Sequence, residues 1–349
     1  MNNTIHLIRY MCIFVFMLFS GCLEEQIHTS ISADGSIERT IRMKLQSRAL
    51  PDKAFPIPTD TAWKIEWKEI SEKDAKYEFI AGKKFSGGEE LHDEYANLPD
   101  TNIIGIRIAV NKRFEWFFSY LEYDETYFFR NPFGNVPVGE YLSKDEAARF
   151  VGGEKSDSLK HKVERWTMRD MFEEVYRPLI DEAKRLNDNT LSSRVLEDRK
   201  EEFFALVSEV DSMNSKKGRP ESGRIAPAQD NVDSAEAVCR LLVKFLHTDA
   251  AIALCPAVRR GWNSLETKLA RMNHPDGWVS SVHMPGLIVE TNGKSVEGNT
   301  IGWKFDPQQI QVGDLTMRAT SRVANVWAFI VTGILALAAL TLLVFPRRR

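Results

Sequence analysis

The chain reads as an α+β fold: a mostly antiparallel β-sheet built from both ends of the body, a helical insertion between them, and a C-terminal transmembrane helix. Three observations predict this. From Gln26 to about Phe129 apolar residues recur with period two, as along half-buried strands. From about residue 140 to 275 the period becomes that of amphipathic helices, and from Gly277 the alternation returns. Val326 to Phe345 carries no charge at all. Strands, then helices, then strands suggest one sheet closed by both ends of the chain.

The first strands are the clearest. Ile27, Thr29 and Ile31 alternate with polar residues, Ala33-Asp34-Gly35-Ser36 makes a turn, and Ile37, Ile41, Met43 and Leu45 resume the alternation, which is a hairpin pattern. Trp63, Ile65 and Trp67 alternate with lysine and glutamate, and Tyr77, Phe79 and Ala81 repeat the arrangement. Ile104, Ile106, Ile108 and Val110 run into Asn111-Lys112, after which Phe114, Trp116, Phe118 and Tyr120 are expected along one strand face. Phe117, Leu121 and Tyr123 then fall on the other face, so the strand is buried between layers or offers one face to an apolar ligand or partner. Glu89-Glu90 and Asp93-Glu94 read as a solvated charge run.

Ser143 and Glu146 have the spacing of a capping box, starting a helix at Lys144. A longer helix is expected from about Ser158 to Leu186, with Trp166, Phe172, Val175 and Leu179 on its apolar stripe and Pro178 kinking it. Another runs from Glu197 to Val210, and Ser212 to Ser234 has few apolar groups and reads as an exposed loop. Ala235 to His247 is helical, Thr248-Asp249 a turn and cap, and Ala250 to Cys255 a return helix ending at Pro256. Strands are expected again at Trp278–His283, Gly286–Glu290, Thr300–Phe305 and Leu315–Val323, with Asn292-Gly293 as a turn.

Both ends of the chain carry membrane signals. About a dozen apolar residues before Ser20-Gly21-Cys22 follow a single Arg9 and span only ~18 Å as a helix, too short for a ~30 Å bilayer core. A basic start, a short apolar run and small residues describe an export signal. Leu18-Phe19-Ser20-Gly21-Cys22 resembles the bacterial prolipoprotein signal, with Phe19 where that pattern carries leucine. The resemblance implies cleavage before Cys22 and a thioether-linked diacylglycerol on its sulfur; an ordinary cleaved signal with an incidental cysteine and an uncleaved anchor are the alternatives. At the other end, Val326 to Phe345 is long enough for a bilayer-spanning helix, with Trp327 at one edge and Arg347 to Arg349 at the other. The arginines predict a cytoplasmic C-terminus and an extracytoplasmic body held at the inner membrane by both ends.

The expected division is therefore 1–21 signal peptide, 22–139 β-rich part, 140–275 helical insertion, 276–323 strands completing the sheet, 324–346 transmembrane helix and 347–349 cytoplasmic tail. Between the ends lie about 300 residues, enough for one large domain or two ordinary ones. A net charge of −3 gives no electrostatic footprint for nucleic acid. Cys12 leaves with the signal and Cys22 takes lipid, so Cys239 and Cys255 remain; outside the cytoplasm such a pair tends to form a disulfide, and two buried free thiols are the alternative.

Catalytic motifs are absent from the sequence. Gly286 to Ser295 ends in Gly-Lys-Ser with six intervening residues where a phosphate-binding loop needs four, and His274-Pro275-Asp276 reads as a helix stop. There is no HExxH, CxxC, GxSxG or Ser-x-x-Lys, so no catalytic residue, metal ligand or cofactor is expected. The Asp34-Gly35 hairpin and the strand Gly298-Asn299-Thr300-Ile301-Gly302-Trp303 before a C-terminal apolar segment resemble LppM-type bacterial lipoproteins. That likeness covers about a quarter of the chain, lacks a diagnostic motif and does not include the helical insertion. Three functions follow as expectations: a non-enzymatic binding or scaffold lipoprotein of the cell envelope, a carrier of an apolar ligand on Phe114, Trp116, Phe118 and Tyr120, and an envelope hydrolase. The partners implied are the lipid on Cys22, the bilayer around 326–345 and other envelope proteins or an apolar ligand.

Overall fold

The computed structural model describes residues 24–50, 62–72, 75–97, 103–154, 156–186, 191–215, 234–271 and 277–344. The signal segment, Cys22, His274 to Asp276 and most of the loop expected over 212–234 lie outside them. Two sheets make up the β body, where one was expected. The larger has β1 (Glu24–Ile31) at its centre. On one side of it lie β2 (Ile37–Leu45), β4 (Tyr77–Phe85) and β3 (Lys64–Glu69); on the other lie β7 (Gly277–His283), β10 (Thr300–Phe305) and β9 (Ser295–Glu297). The smaller sheet has the order β5 (Ile104–Phe114), β6 (Phe118–Phe129), β11 (Leu315–Ala324) and β8 (Leu287–Thr291).

Each sheet joins N-terminal to C-terminal strands, and β1 pairs in parallel with β7, Glu25 opposite Trp278 and Ser30 opposite His283. The antiparallel expectation fails at that seam because no hairpin can link strands so far apart in sequence, which leaves their relative direction to the insertion between them. The sheets share one core, filled by Ile27, Ile41, Phe79, Tyr127, Trp278 and Met317 among others.

Asn292 is a crossing point and not a hairpin tip. Its side chain donates to the Thr316 carbonyl and accepts from the Arg318 amide and the Trp303 indole, so the chain leaves β8 in one sheet and enters β9 in the other. The expected charge run is helix α1 (Gly88–Ala96). Its Leu91 and Tyr95 are buried, and Glu94 accepts from the Trp63 indole at 2.5 Å and pairs with Lys83 at 2.6 Å. A Cβ on Gly88 would run into the Val110 carbonyl, so glycine allows α1 to lie directly on β5.

The insertion begins with α2 (Lys144–Val151), whose Ser143 and Glu146 form both bonds of a capping box. Helix α3 (Asp157–Leu186) carries Pro178 within it and packs against α4 (Ser193–Ser215), α5 (Ser234–Leu246) and α6 (Cys255–Arg271) around a second core that includes Phe172, Tyr176, Phe203 and Trp262. At Gly261 a Cβ would lie 2.8 Å from the Val175 Cα, so the α3–α6 crossing depends on glycine there. Pro256 opens α6 instead of ending a return helix, because a proline in the first turn gives up only an amide that has no helical partner anyway. The residues before it, Asp249–Leu254, form a 3₁₀ turn capped by Thr248.

Cys239 on α5 and Cys255 on α6 are joined by a disulfide, with their Cα atoms 5.4 Å apart. Closing a loop of this length contributes on the order of 3 kcal/mol by the chain-entropy estimate. Thiol labelling of the denatured, unreduced chain should therefore find neither cysteine reactive. Reduction should raise amide exchange in α5 and α6 well before it affects the sheets.

A short helix, α7 (Pro307–Val312), links β10 to β11 and opens on a second capping box, made by Asp306 and Gln309. Helix α8 (Val326–Val344) corrects the expectation at the C-terminus. Among the described residues no helix is long and apolar enough to cross a membrane. The physical reason lies in its contacts. The hairpin β5–β6 takes one side of the first two turns, with Trp327 against Phe114 and Trp116, and Phe329 against Phe117 and Phe118. The remainder, Ile334 to Val344, rises only about 16 Å against a ~30 Å hydrocarbon core.

A second expectation also fails, that the two chain ends meet beside one membrane. The start of β1 lies level with Trp278 and Tyr127, whereas its far end and the Ala33 turn lie beside Lys112, next to the hairpin tip from which α8 leaves. The eight residues of β1 rise about 25 Å, so the chain enters and leaves the sandwich at opposite ends.

Candidate functional site

Two features stand out from an ordinary core and surface: an ionic cluster sealed between the sheets, and an apolar apex where the hairpin tip meets α8.

The cluster follows from strand phase. Along β1 the inward positions are Glu25, Ile27, Thr29 and Ile31, along β2 they include Ile37, Arg39 and Ile41, and along β6 they are Leu121, Tyr123, Glu125 and Tyr127. Two acids and one base thus face the interior, all with no solvent exposure. Arg39 holds Glu125 through both terminal nitrogens, at 3.2 and 2.6 Å, and donates to the Thr29 hydroxyl at 3.0 Å. Tyr127 donates to Glu125 at 2.7 Å, Tyr123 donates to its other oxygen, and the Tyr95 ring lies 5.0 Å from the guanidinium carbon. Because Arg39 belongs to the larger sheet and Glu125 to the smaller, the pair is an ionic bond between the two layers.

Glu25 stands beside this pair, taking a hydrogen bond from the Trp278 indole at 2.8 Å. Burial pushes its carboxyl up to about 8, the effect outweighing the Trp278 hydrogen bond and the attraction of Arg39, so it is neutral at pH 7. Burial works against the charge of Arg39 as well, but Glu125 reverses that and holds the guanidinium well above its usual range. Burial and the Glu125 charge push the Tyr123 and Tyr127 phenols up. No solute reaches these groups without parting the sheets, so the arrangement is a cross-link and not a reaction centre.

The apex gathers the aromatic residues singled out in the sequence, though not on one strand. Glu115 and Phe118 exchange both backbone hydrogen bonds, so Trp116-Phe117 is a two-residue turn between β5 and β6. It lacks the Asn-Gly signature of such turns, which is why Asn111-Lys112 looks the better candidate in the sequence. Phe114 ends β5, 56% exposed and stacked on Trp327 at 6.1 Å; Trp116, 46% exposed, meets Trp327 edge-on at 5.2 Å. Phe118 and Tyr120 open β6 on its outward face, under the guanidinium groups of Arg322 and Arg113 at 4.6 and 4.7 Å.

Asn325 fixes the helix to this hairpin. Its side chain donates to the Glu115 and Trp116 carbonyls at 2.8 and 3.2 Å and accepts from the Ser119 hydroxyl at 2.9 Å. The Trp116 indole adds a bond to the Thr332 hydroxyl at 2.9 Å. Sequence reasoning missed Asn325, although a polar residue immediately before an apolar run is a helix-cap signal that could have found it. It missed the Phe117–Phe329 contact as well, which no local pattern announces. Among the described residues no group of three His, Cys, Asp or Glu side chains is placed to hold a metal ion.

No family model matches this chain, and no curated protein matches it. Among solved structures it is similar to the NMR structure of the folded domain of LppM from Mycobacterium tuberculosis. The two are 9% identical, with 87% of this chain and 92% of that one covered at a TM-score of 0.31, a likeness too slight to carry an inference.

Proposed function

We propose that the protein is a non-enzymatic envelope lipoprotein: Cys22 carries lipid, and the folded body serves as a binding or scaffold module at the envelope surface. One observation carries the second half of this reading. Of the ionisable groups with strongly displaced proton affinities, Glu25 and Arg39 are sealed in the core, Arg39 tying the two sheets together, and Glu146 is committed to a helix cap and Lys162, whereas the large apolar side chains Phe114, Trp116 and Trp327 are left at the surface. Chemistry on a solute needs reachable polar groups, whereas recognition of an apolar surface needs groups of the second kind.

The lipid half rests on the Ser20-Gly21-Cys22 motif. Metabolic labelling with an alkyne fatty acid tests it. The natural chain should incorporate label and Cys22→Ser should lose essentially all of it. Equal labelling of both chains, or of neither, would remove the lipoprotein reading.

A further inference from the structure

We infer that the apex, formed by the β5–β6 hairpin tip and α8, is a lipid-facing surface that seats in the headgroup and outer acyl layer of one leaflet. The inference deepens the envelope reading by naming the partner of the exposed apolar surface, and it rests on that reading only for the compartment.

The distribution of exposed residues around α8 selects the occupant. At 100° per residue, Phe329, Val326, Ile330, Trp327, Val331 and Leu335 point in successive directions covering about 240° of the circumference. All six are exposed. A partner helix or a protein groove covers a single stripe and would leave most of these side chains in water. A lipid layer, headgroups and outer acyl chains together, covers them all, and no ionisable residue occurs from Val326 to Val344 to oppose it.

The flanking groups set the depth. Trp116 and Trp327 lie together where the helix leaves the hairpin, each about half exposed, and indoles favour the headgroup level. Arg322 sits just behind them over Phe118, within reach of lipid phosphates, and Arg113 over Tyr120 is paired with Glu115 and Glu122. Beyond this collar Ile334, Leu335, Leu337 and Leu340 are each more than half exposed. From Ile334 to Val344 the helix rises about 16 Å, half of what a span requires, so it lies in the interface and does not carry the Arg347–Arg349 triplet that follows toward the bilayer centre. Because Asn325 and Trp116 bond the first turns to the hairpin, this surface has a fixed direction relative to the body.

The protein contains its own probes. Of its eight tryptophans, Trp63, Trp166, Trp262, Trp278 and Trp303 are buried and Trp67 is half-buried, so Trp116 and Trp327 are the most exposed. Tryptophan fluorescence of the full chain is read in phosphatidylcholine–phosphatidylglycerol vesicles whose lipids carry bromine either high on the acyl chains or near the bilayer centre. Shallow bromines should quench about twofold more than deep ones, as expected for indoles near the headgroups. The quenching should be lost in the Trp116→Phe, Trp327→Phe double variant, which keeps the ring packing.

Stronger quenching by deep bromines would overturn the shallow placement. Absence of quenching would overturn lipid as the occupant, and a doubled mass in sedimentation would then assign the apex to a second copy of the chain. Repeating the measurement on Cys22→Ser separates the two readings: quenching that persists in that variant leaves the apex contact standing whether or not the natural chain labels, and failure of the natural chain to label sinks the lipoprotein assignment alone.

Discussion

Replacing Glu125 by leucine should lower the free energy of unfolding by about 3–5 kcal/mol, because it leaves Arg39 charged and unpaired between the two sheets. The Tyr123 and Tyr127 hydroxyls lose their acceptor in the same variant, which adds to the cost. Arg39→Met alone should be comparably severe, since it strands the carboxylate. The combined Arg39→Met, Glu125→Leu chain should recover most of the loss, as apolar replacements of buried pairs often do. Urea denaturation of the four chains forms a double-mutant cycle that reads the coupling directly. Two single variants within about 1 kcal/mol of the natural chain would show that the sheets are held by packing alone.

Stability should also fall as pH rises through the neutral range, an effect traceable to Glu25. Its carboxyl titrates near the ordinary 4.5 when unfolded and at about 8 when folded, with burial the dominant cause. The folded state therefore holds the proton more tightly. Its contribution is fully present below pH 4.5 and is lost progressively as pH rises to about 8. The total is at most on the order of 5 kcal/mol, less as the protein rehydrates the group. Glu25→Gln should flatten this limb and be the more stable chain above the folded-state value. The acid limb has the opposite sign: Lys162 and the Ser143 amide hold the Glu146 carboxyl down to about 2, so its contribution is lost as pH falls toward that value. Equal slopes for the natural chain and the Glu25→Gln variant across the neutral range would contradict the assignment.

How much of this was legible depended on whether a feature is local. The Asp34-Gly35 hairpin, the Ser143–Glu146 capping box and most strands could be read because their causes lie within a few residues. The division into two sheets could not, because it is decided by which distant strands meet. Asn292 illustrates this: its dipeptide signals a turn, yet its side chain spends its bonds on Thr316, Arg318 and Trp303 to carry the chain between layers. Helix α1 was hidden by its composition, since Leu91 and Tyr95 are its only buried side chains among glutamates. The ionic cluster was legible in principle, because Glu25, Arg39 and Glu125 each occupy the inward phase of a strand. Charge there looks like an error of register until the partner on the facing sheet is known.

The parallel seam between β1 and β7 sets a schedule for the chain as it is made. Glu25 and Trp278 are 253 residues apart, yet they are hydrogen-bonded neighbours. At 5–20 residues per second, roughly 10–50 s of synthesis separate the appearance of the two strands. During that interval β1, β2, β4 and β3 can zip together from local turns, but the β7-facing edge of β1 has nothing to bond. A newborn chain thus carries an open edge with Ile27 and Ile31 beside it, the kind of template that recruits other unfinished chains. Holding that edge apart until residue 283 emerges is work for a chaperone or for the export machinery. Slowed elongation past the helical insertion should accordingly raise aggregation more than any surface substitution does.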